Sequence, residues 1–308
     1  MRSATEGFAC FAVEFSPFEE NKFACAAGQN FGIVGNGRQY VFVNDGRGLR
    51  IQSAFDTQDG LFDCAWSEEN ERILLSASGD GSLKIWDTAQ PSGRPIQSIP
   101  AHEKEVYSVH WNPMAKDTFV SGSWDLTAKL WSPRRPAPIM VFAEHTGGIY
   151  DTVWSPSNPR VFASVAGDGA LKIWDTNERH SVQTVLAHHN EVLSCDWNKY
   201  EENVVVTGSV DKTIKIWDLR NPRQELTTLS GHSLAVRRVK CSPHFGGVIA
   251  SCSYDMSVII WDTAAPREPL VRRIDHHTEF VQGIDFNLFI EGQIATCSWD
   301  QTVDIINV

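Results

Sequence analysis

No apolar run in this 308-residue chain is long enough to cross a bilayer as a helix, so the sequence offers nothing for direct membrane insertion. The first residues, MRSATEGFACFAVEF, lack the apolar core and cleavage site of a secretory leader. Basic residues are scarce: 27 Lys and Arg stand against 38 Asp and Glu, a formal charge of -11, with no clustered basic stripe. That argues against a nucleic-acid face and permits a partner carrying positive charge. Seven cysteines is an odd count with no CxxC pair, and most lie in apolar runs such as VLSCDW around Cys195 and IASCSYD around Cys252. They read as small buried hydrophobes in a reducing compartment, not as a disulfide framework. Helix signals are weak as well. The expectation is a soluble cytosolic protein.

Short Val-, Ile-, Trp- and Thr-rich runs broken by Gly-Asp, Asn-Pro and Ser-Pro fill the chain, the pattern of an all-β fold. One element occurs six times: DGSLKIWD from Asp80, DLTAKLWS from Asp125, DGALKIWD from Asp168, DKTIKIWD from Asp211, DMSVIIWD from Asp255 and DQTVDIIN from Asp300. The leading aspartates advance by 45, 43, 43, 44 and 45 residues, the period of WD-repeat propeller blades. A histidine series locks onto them, since His102, His145, His188, His232 and His277 each precede such an aspartate by 23 residues, with Thr57 in the slot before Asp80. FACFAVEFSP, Phe8 to Pro17, matches the intervening strand, so a divergent blade precedes the six. The fold class is all-β, a single seven-bladed WD-repeat β-propeller occupying residues 1–308 as one domain. The last blade is one strand short at Val308, which predicts that a segment around Arg2–Gly7 completes it and closes the ring.

AGQNFGIVGNGR holds Gly28, Gly32, Gly35 and Gly37, but a phosphate-binding loop needs a helix after it and RQYVFVN is a strand. The stretch is read as an enlarged, mobile turn on one rim. The repeated His/Asp/Trp groups resemble catalytic triads or metal ligands, yet catalysis needs one constellation, not one in nearly every repeat. Each is read as a buried network running from aspartate through histidine and a hydroxyl to the indole, satisfying groups that cost about 1–3 kcal/mol each when unpaired. The complete sets are His102/Asp125/Trp131, His145/Asp168/Trp174, His188/Asp211/Trp217 and His232/Asp255/Trp261. Ile306 in place of Trp and Thr57 in place of His predict looser arrangements in those two blades. The doubled histidines, His188-His189 and His276-His277, have no carboxylate or cysteine at ligand spacing, so no metal is expected. Trp66, Trp111, Trp154 and Trp197 recur at one strand end and read as inter-blade packing. No enzymatic constellation and no cofactor site emerge.

Residues that break the repeat carry more information. AGQNFGIVGNG, LFDCAWSE, EVYSVHWNP, SGSWDLTAKLW, LSCDWNKY, RRVKCSPH, ASCSYDMSV and DHHTEF, in that order from Gly28 to Phe280, resemble the family of peroxisomal import receptors for type 2 targeting signals, as does the ending CSWDQTVDI. Ser132 in place of the blade's Asp, Arg134-Arg135 after it, and Ile306-Asn307 in place of Trp-Asp depart from the repeat. The resemblance implies a cytoplasmic receptor that binds an N-terminal nonapeptide of cargo proteins. With a co-receptor it would deliver them to a docking complex of the peroxisome (or glycosome), cycling to that membrane and matrix. In that family the signal reads Arg, an aliphatic residue, five variable positions, His or Gln, then Leu or Ala; on a helix both fixed pairs share one face. Positions flanking the first apolar residue of each inner strand, or preceding each turn aspartate, face one rim. They supply Asp59, Phe62, Glu105, Tyr107, Tyr150, Glu191 and Arg237, and Trp124, Tyr254 and Trp299. Carboxylates beside aromatics suit a basic amphipathic helix, with Glu105 and Asp59, read as corresponding rim positions of adjacent blades, as acceptors for its arginine. The alternative is another WD-repeat scaffold or substrate adaptor, with solvated glutamates and rim-packing aromatics at these positions.

Overall fold

Strands of alternating or continuous apolar character can bury themselves only by stacking sheets, and here seven antiparallel four-stranded sheets do so around one axis. The computed structural model describes residues 1–90, 93–265 and 267–308. Blade 1 covers residues 9–57, blade 2 61–100, blade 3 106–142, blade 4 149–186, blade 5 192–230 and blade 6 236–274; blade 7 combines 281–307 with Arg2–Ala4. The first strand of each blade is innermost and touches its counterparts on both sides, and the circle closes between Ala9–Phe15 and Val281–Phe286. Burial follows this layering. Leu61–Trp66 and Val192–Trp197 are buried at every residue, whereas the outermost strand Ser181–Leu186 alternates.

All four complete His/Asp/Trp sets form. In blade 3 the Trp131 indole donates to Ser121 Oγ at 2.9 Å, His102 Nε2 lies 2.7 Å from that hydroxyl, and His102 Nδ1 lies 2.8 Å from Asp125. In blade 4 the Trp174 indole donates to Ser164 Oγ at 2.8 Å, and His145 links that hydroxyl to Asp168 at 2.7 and 2.9 Å. In blade 5 the Trp217 indole donates to Thr207 Oγ1 at 3.1 Å, and His188 links it to Asp211, both at 2.8 Å. In blade 6 the Trp261 indole donates to Ser251 Oγ at 2.8 Å, and His232 links it to Asp255 at 2.7 and 3.0 Å. Burial holds the His102 and His188 imidazoles below their ordinary pKa, which suits a neutral ring donating to aspartate at Nδ1 and accepting at Nε2.

The two incomplete blades are not loose, as the sequence suggested, but bonded differently. In blade 7, His277 keeps Asp300 at 2.9 Å and Thr296 at 3.0 Å and lacks only the indole. In blade 2 a buried Lys84 ammonium replaces the histidine and donates to Asp80 at 2.7 Å and Ser78 at 3.1 Å. Trp66 and Trp197 do join blades, their indoles donating to the Glu14 and Val153 carbonyls of the preceding blade. Trp111 donates instead within its own turn, to the Lys116 carbonyl.

Two rings of turns differ between the faces. On one, the residue after each repeat aspartate takes positive φ: Gly81, Leu126, Gly169, Lys212, Met256 and Gln301. On the other, a Ser or Asn ends each inner strand and its side-chain oxygen accepts the backbone N–H groups two and three residues on, as Ser16 does for Phe18 and Glu19 and Asn198 for Tyr200 and Glu201. The closing strand matches expectation. Arg2–Ala4 pairs antiparallel with Thr302–Asn307, Arg2 opposite Asp304, and the two side chains form an ion pair at 2.7 Å.

Removing residues 1–7 exposes the edge at Thr302–Asn307 and is expected to lower the melting temperature by several degrees; an unchanged melt contradicts closure by this strand. Asp211→Ala leaves the His188 Nδ1–H without its acceptor and is expected to cost about 1–3 kcal/mol in a denaturant titration, a loss that a free surface aspartate would not show. Acid should weaken the whole ring. Burial opposes the charge of Asp168 and of Asp80, but bonds from His145 and from Lys84 outweigh it and hold both pKa values at about 2. These carboxylates bind protons more weakly folded than unfolded, so their stabilisation is present above about pH 4 and is lost as pH falls towards 2. His102 and His188, buried and neutral, add a loss that begins below about pH 6.5. Melting temperatures measured from pH 8 to 3 should be flat at first, then fall.

Candidate functional site

Every inner strand carries one extra residue near its start. The pairing register skips between Cys10 and Ala12, Leu61 and Asp63, Val106 and Ser108, Ile149 and Asp151, Val192 and Ser194, Val236 and Arg238, and Val281 and Gly283. A bulge re-aims the side chain it inserts. The seven inserted residues, Phe11, Phe62, Tyr107, Tyr150, Leu193, Arg237 and Gln282, all line one axial depression of about 510 Å³ on the face of the repeat aspartates. All ten rim positions expected from sequence line it as well: Asp59, Phe62, Glu105, Tyr107, Trp124, Tyr150, Glu191, Tyr254 and Trp299, with Arg237 on its floor. The indoles of the repeat networks stay apart from it. Trp131, Trp174, Trp217 and Trp261 are buried within their blades and none of them lines the depression.

The residue before each repeat aspartate is anchored by its backbone. Trp124 N–H donates to the Glu105 carbonyl, Tyr254 to Ala235 and Trp299 to Phe280, each at 3.1 Å. Gly79 and Gly167 hold the same position in blades 2 and 4, so large side chains stand only on blades 3, 6 and 7. Gly148 makes room for one of them, because a Cβ there would lie 2.6 Å from Trp124 Cδ1.

These rings form a nearly continuous arc. Phe62, Tyr107 and Trp124 stack in series at 4.7 and 4.8 Å, with interplanar angles of 9° and 8°, and Tyr150 meets Tyr107 edge-on at 5.7 Å. In the other direction Phe62 meets Phe11 at 5.1 Å, Phe11 meets Trp299 at 5.9 Å, and Phe280 links Trp299 to Tyr254 at 5.3 and 4.7 Å. Blade 5 leaves the gap, with Leu193 and Val210. Three carboxylates border the arc: Asp59 and Glu191 are exposed and Glu105 is half-buried. Tyr150 Oη donates to Glu191 at 3.3 Å; burial and that neighbouring charge both raise its pKa. Two donors, Trp299 Nε1 and Gln282 Nε2, are buried with no acceptor among the described residues. The chemistry on offer is apolar contact plus acceptance of a cation, with free donors for a backbone carbonyl.

Three sequence readings need correction. Arg237 is no exposed rim position: it is 3% exposed on the floor, donating to Gln282 Oε1 at 3.0 Å. Asp59 is not the counterpart of Glu105, since Gly60 holds that position and Asp59 stands one residue earlier. The doubled histidine also gains a carboxylate that linear spacing conceals. Asp304 Oδ2 lies 3.6 Å from His276 Nε2 and 4.0 Å from His277 Nε2, but Arg2 already occupies that oxygen.

The glycine-rich stretch lies on this rim. Gln29–Gly32 forms a short 3-10 turn with positive φ at Asn30 and Phe31, and the strand Gly37–Asn44 follows it. Gly37 is required there, because a Cβ would fall on the Asp59 carbonyl. The turn places Phe31 against Trp299 at 5.1 Å and leaves Ile33 85% exposed at the edge of the depression. Sequence reasoning missed Phe11, Phe31, Ile33, Leu193 and Phe280 here. Aligning ACFAVE with GLFDCA would have found Phe11; nothing periodic marks Phe31, which belongs to an insertion.

The model for the WD domain, G-beta repeat matches residues 50–87, 93–132, 136–175, 179–218 and 223–262. The chain is 63% identical over 284 residues to the peroxisomal targeting signal 2 receptor of Dictyostelium discoideum, covering 92% of this chain and 90% of that protein. It is 58% identical over 296 residues to peroxisome biogenesis protein 7 of Arabidopsis thaliana (95% and 93%) and 50% identical over 296 residues to the peroxisomal targeting signal 2 receptor of Mus musculus (96% and 92%). Seven bulged blades, an aromatic and acidic axial depression and these near full-length identities agree: the chain belongs to the WD-repeat family of peroxisomal targeting signal 2 receptors.

Proposed function

We propose that this chain is a receptor for the N-terminal type 2 peroxisomal targeting nonapeptide and that the axial depression is where the peptide lies. The observation carrying this reading is the convergence of three carboxylates and an arc of aromatic rings on one face, in a chain whose relatives are named for that signal. Its role is binding and delivery, not catalysis. As a helix, nine residues rising ~1.5 Å each span a little over one nanometre and set the two fixed pairs, seven positions apart, on one face. That face meets the arc. Glu105, with Asp59 nearby, accepts the arginine; Trp124, Tyr107 and Phe62 pack the aliphatic residues, and Tyr150, Glu191, Tyr254 and Trp299 border the remainder.

A partly desolvated Arg–carboxylate contact contributes about 1.5–3 kcal/mol, roughly ten- to hundredfold in affinity. So small a margin suits a receptor that binds weakly alone and holds cargo once a co-receptor covers the helix. The receptor then works from the cytoplasm, hands its cargo to the docking complex of the peroxisome, and cycles to that membrane and matrix. Charge reversal tests the assignment. Glu105→Lys is expected to abolish binding of the native nonapeptide in fluorescence anisotropy and to restore part of it for a peptide whose arginine is replaced by glutamate. Native-peptide affinity equal to the parent's, with co-receptor present, removes Glu105 from this role.

A further inference from the structure

The opposite mouth of the propeller axis is not a featureless floor. The residue after each strand-ending Ser or Asn lines a second pit, of about 230 Å³: Pro17, Pro113, Pro156 and Pro243, with Glu68, Lys199 and Leu288 in the other three blades. Phe15, Trp154 and Phe286 form its walls, and the indole N–H of Trp154 is buried without an acceptor among the described residues. Its charges are unevenly matched. Lys199 is committed to Asp196 at 2.7 Å and Lys240 approaches Asp285 at 3.6 Å. Glu14 faces the pit with one oxygen accepting the Trp66 N–H at 3.0 Å and the other accepting no bond, and neither Glu14 nor Glu68 has an ion-pair partner among the described residues. Burial first, then the charge of Asp285, pushes the Glu14 carboxyl well above its ordinary value, and the Lys240 ammonium on the same wall offsets only part of that.

Around this mouth Phe18, Tyr200, Phe245, Leu288 and Phe289 are exposed on blades 1, 5, 6 and 7. The turn itself asks for nothing apolar: blades 2 and 4 make it with Glu69 and Ser157 in the place of Phe18, Tyr200 and Phe289. The crescent is held as one surface. Tyr200 Oη donates to the Pro243 carbonyl at 2.9 Å, His244 Nε2 lies 2.9 Å from the Asn287 carbonyl, and Asn287 donates to the Glu20 carbonyl at 2.7 Å.

We propose that this face docks a second protein, through a segment that inserts a lysine or arginine side chain into the pit beside Glu14 and lays apolar neighbours on the crescent. Contiguous apolar surface around a charge-deficient pocket is the anatomy of an interaction site, and the acids select the sign of the partner. A second copy of this chain fits badly, because a two-fold contact on the axis would set Glu14 and Glu68 against themselves. The surface is on the other side of the ring from the aromatic arc, so both can be filled together.

A heptapeptide library displayed on phage and panned on the full chain tests this. The expected survivors carry Lys or Arg between apolar residues and bind Glu14→Gln and Phe289→Ser about tenfold or more weakly than the parent. They bind Glu105→Lys as they bind the parent, which separates this outcome from the fate of the nonapeptide reading. Gln at 14 keeps an acceptor for the Trp66 N–H; should that variant melt early, the exposed Phe289→Ser and Tyr200→Ser decide alone. Recovery of no common sequence, survivors without a basic residue, or indifference to these variants overturns the proposal. So does a concentration-dependent dimer lost in Phe245→Ser, or co-sedimentation of the parent but not Phe289→Ser with phosphatidylserine vesicles.

Discussion

Everything on either face depends on closing a circle. A single blade cannot bury its inner strand; seven can, provided the last one finds its neighbour, and Arg2–Ala4 against Thr302–Asn307 completes the sheet that makes this possible. Once closed, the ring turns any feature repeated per blade into a circle of seven. One bulge per inner strand becomes a circle of seven side chains aimed along the axis, and one Ser or Asn turn becomes the rim of the opposite mouth. Function is then written in what occupies each equivalent place.

The same repetition explains what the sequence reveals. Blade number, His/Asp/Trp networks and rim positions follow from the period, because the backbone geometry is shared and only side chains vary. Trp131, Trp174, Trp217 and Trp261 each reach a hydroxyl ten residues earlier in the chain, so one reading of the repeat served all four. Ten residues picked by their place in the repeat converge on one depression for the same reason. Legibility fails where the repeat fails. Lys84, on the strand Ser82–Asp87, takes the place of a loop histidine, which no alignment of His columns shows. Asp304 reaches the doubled histidine across strand pairing, and Phe31 arrives by an insertion with two positive-φ residues. The one-residue slip that paired Asp59 with Glu105 arose because the loops before the two inner strands differ, while the backbone bonds of Gly60 and Glu105 do not.

Charge and stacking divide the labour in the depression. The rings offer broad apolar area without a strong preference for any one partner, whereas Glu105, Asp59 and Glu191 place negative charge at its border. Arg237 does not cancel them from the rim, because Gln282 and the Leu193 carbonyl hold it on the floor.

The proposed place of the targeting helix is the aromatic arc. Photo-crosslinking measures that directly, with a nonapeptide carrying a benzophenone side chain at a variable position beside its aliphatic residues and the adducts mapped by mass spectrometry. Adducts are expected within the arc, on the segments holding Phe62, Tyr107 and Trp124, and competed away by unlabelled nonapeptide. Competable adducts confined to the outer strands or to the Pro-rimmed face would contradict it.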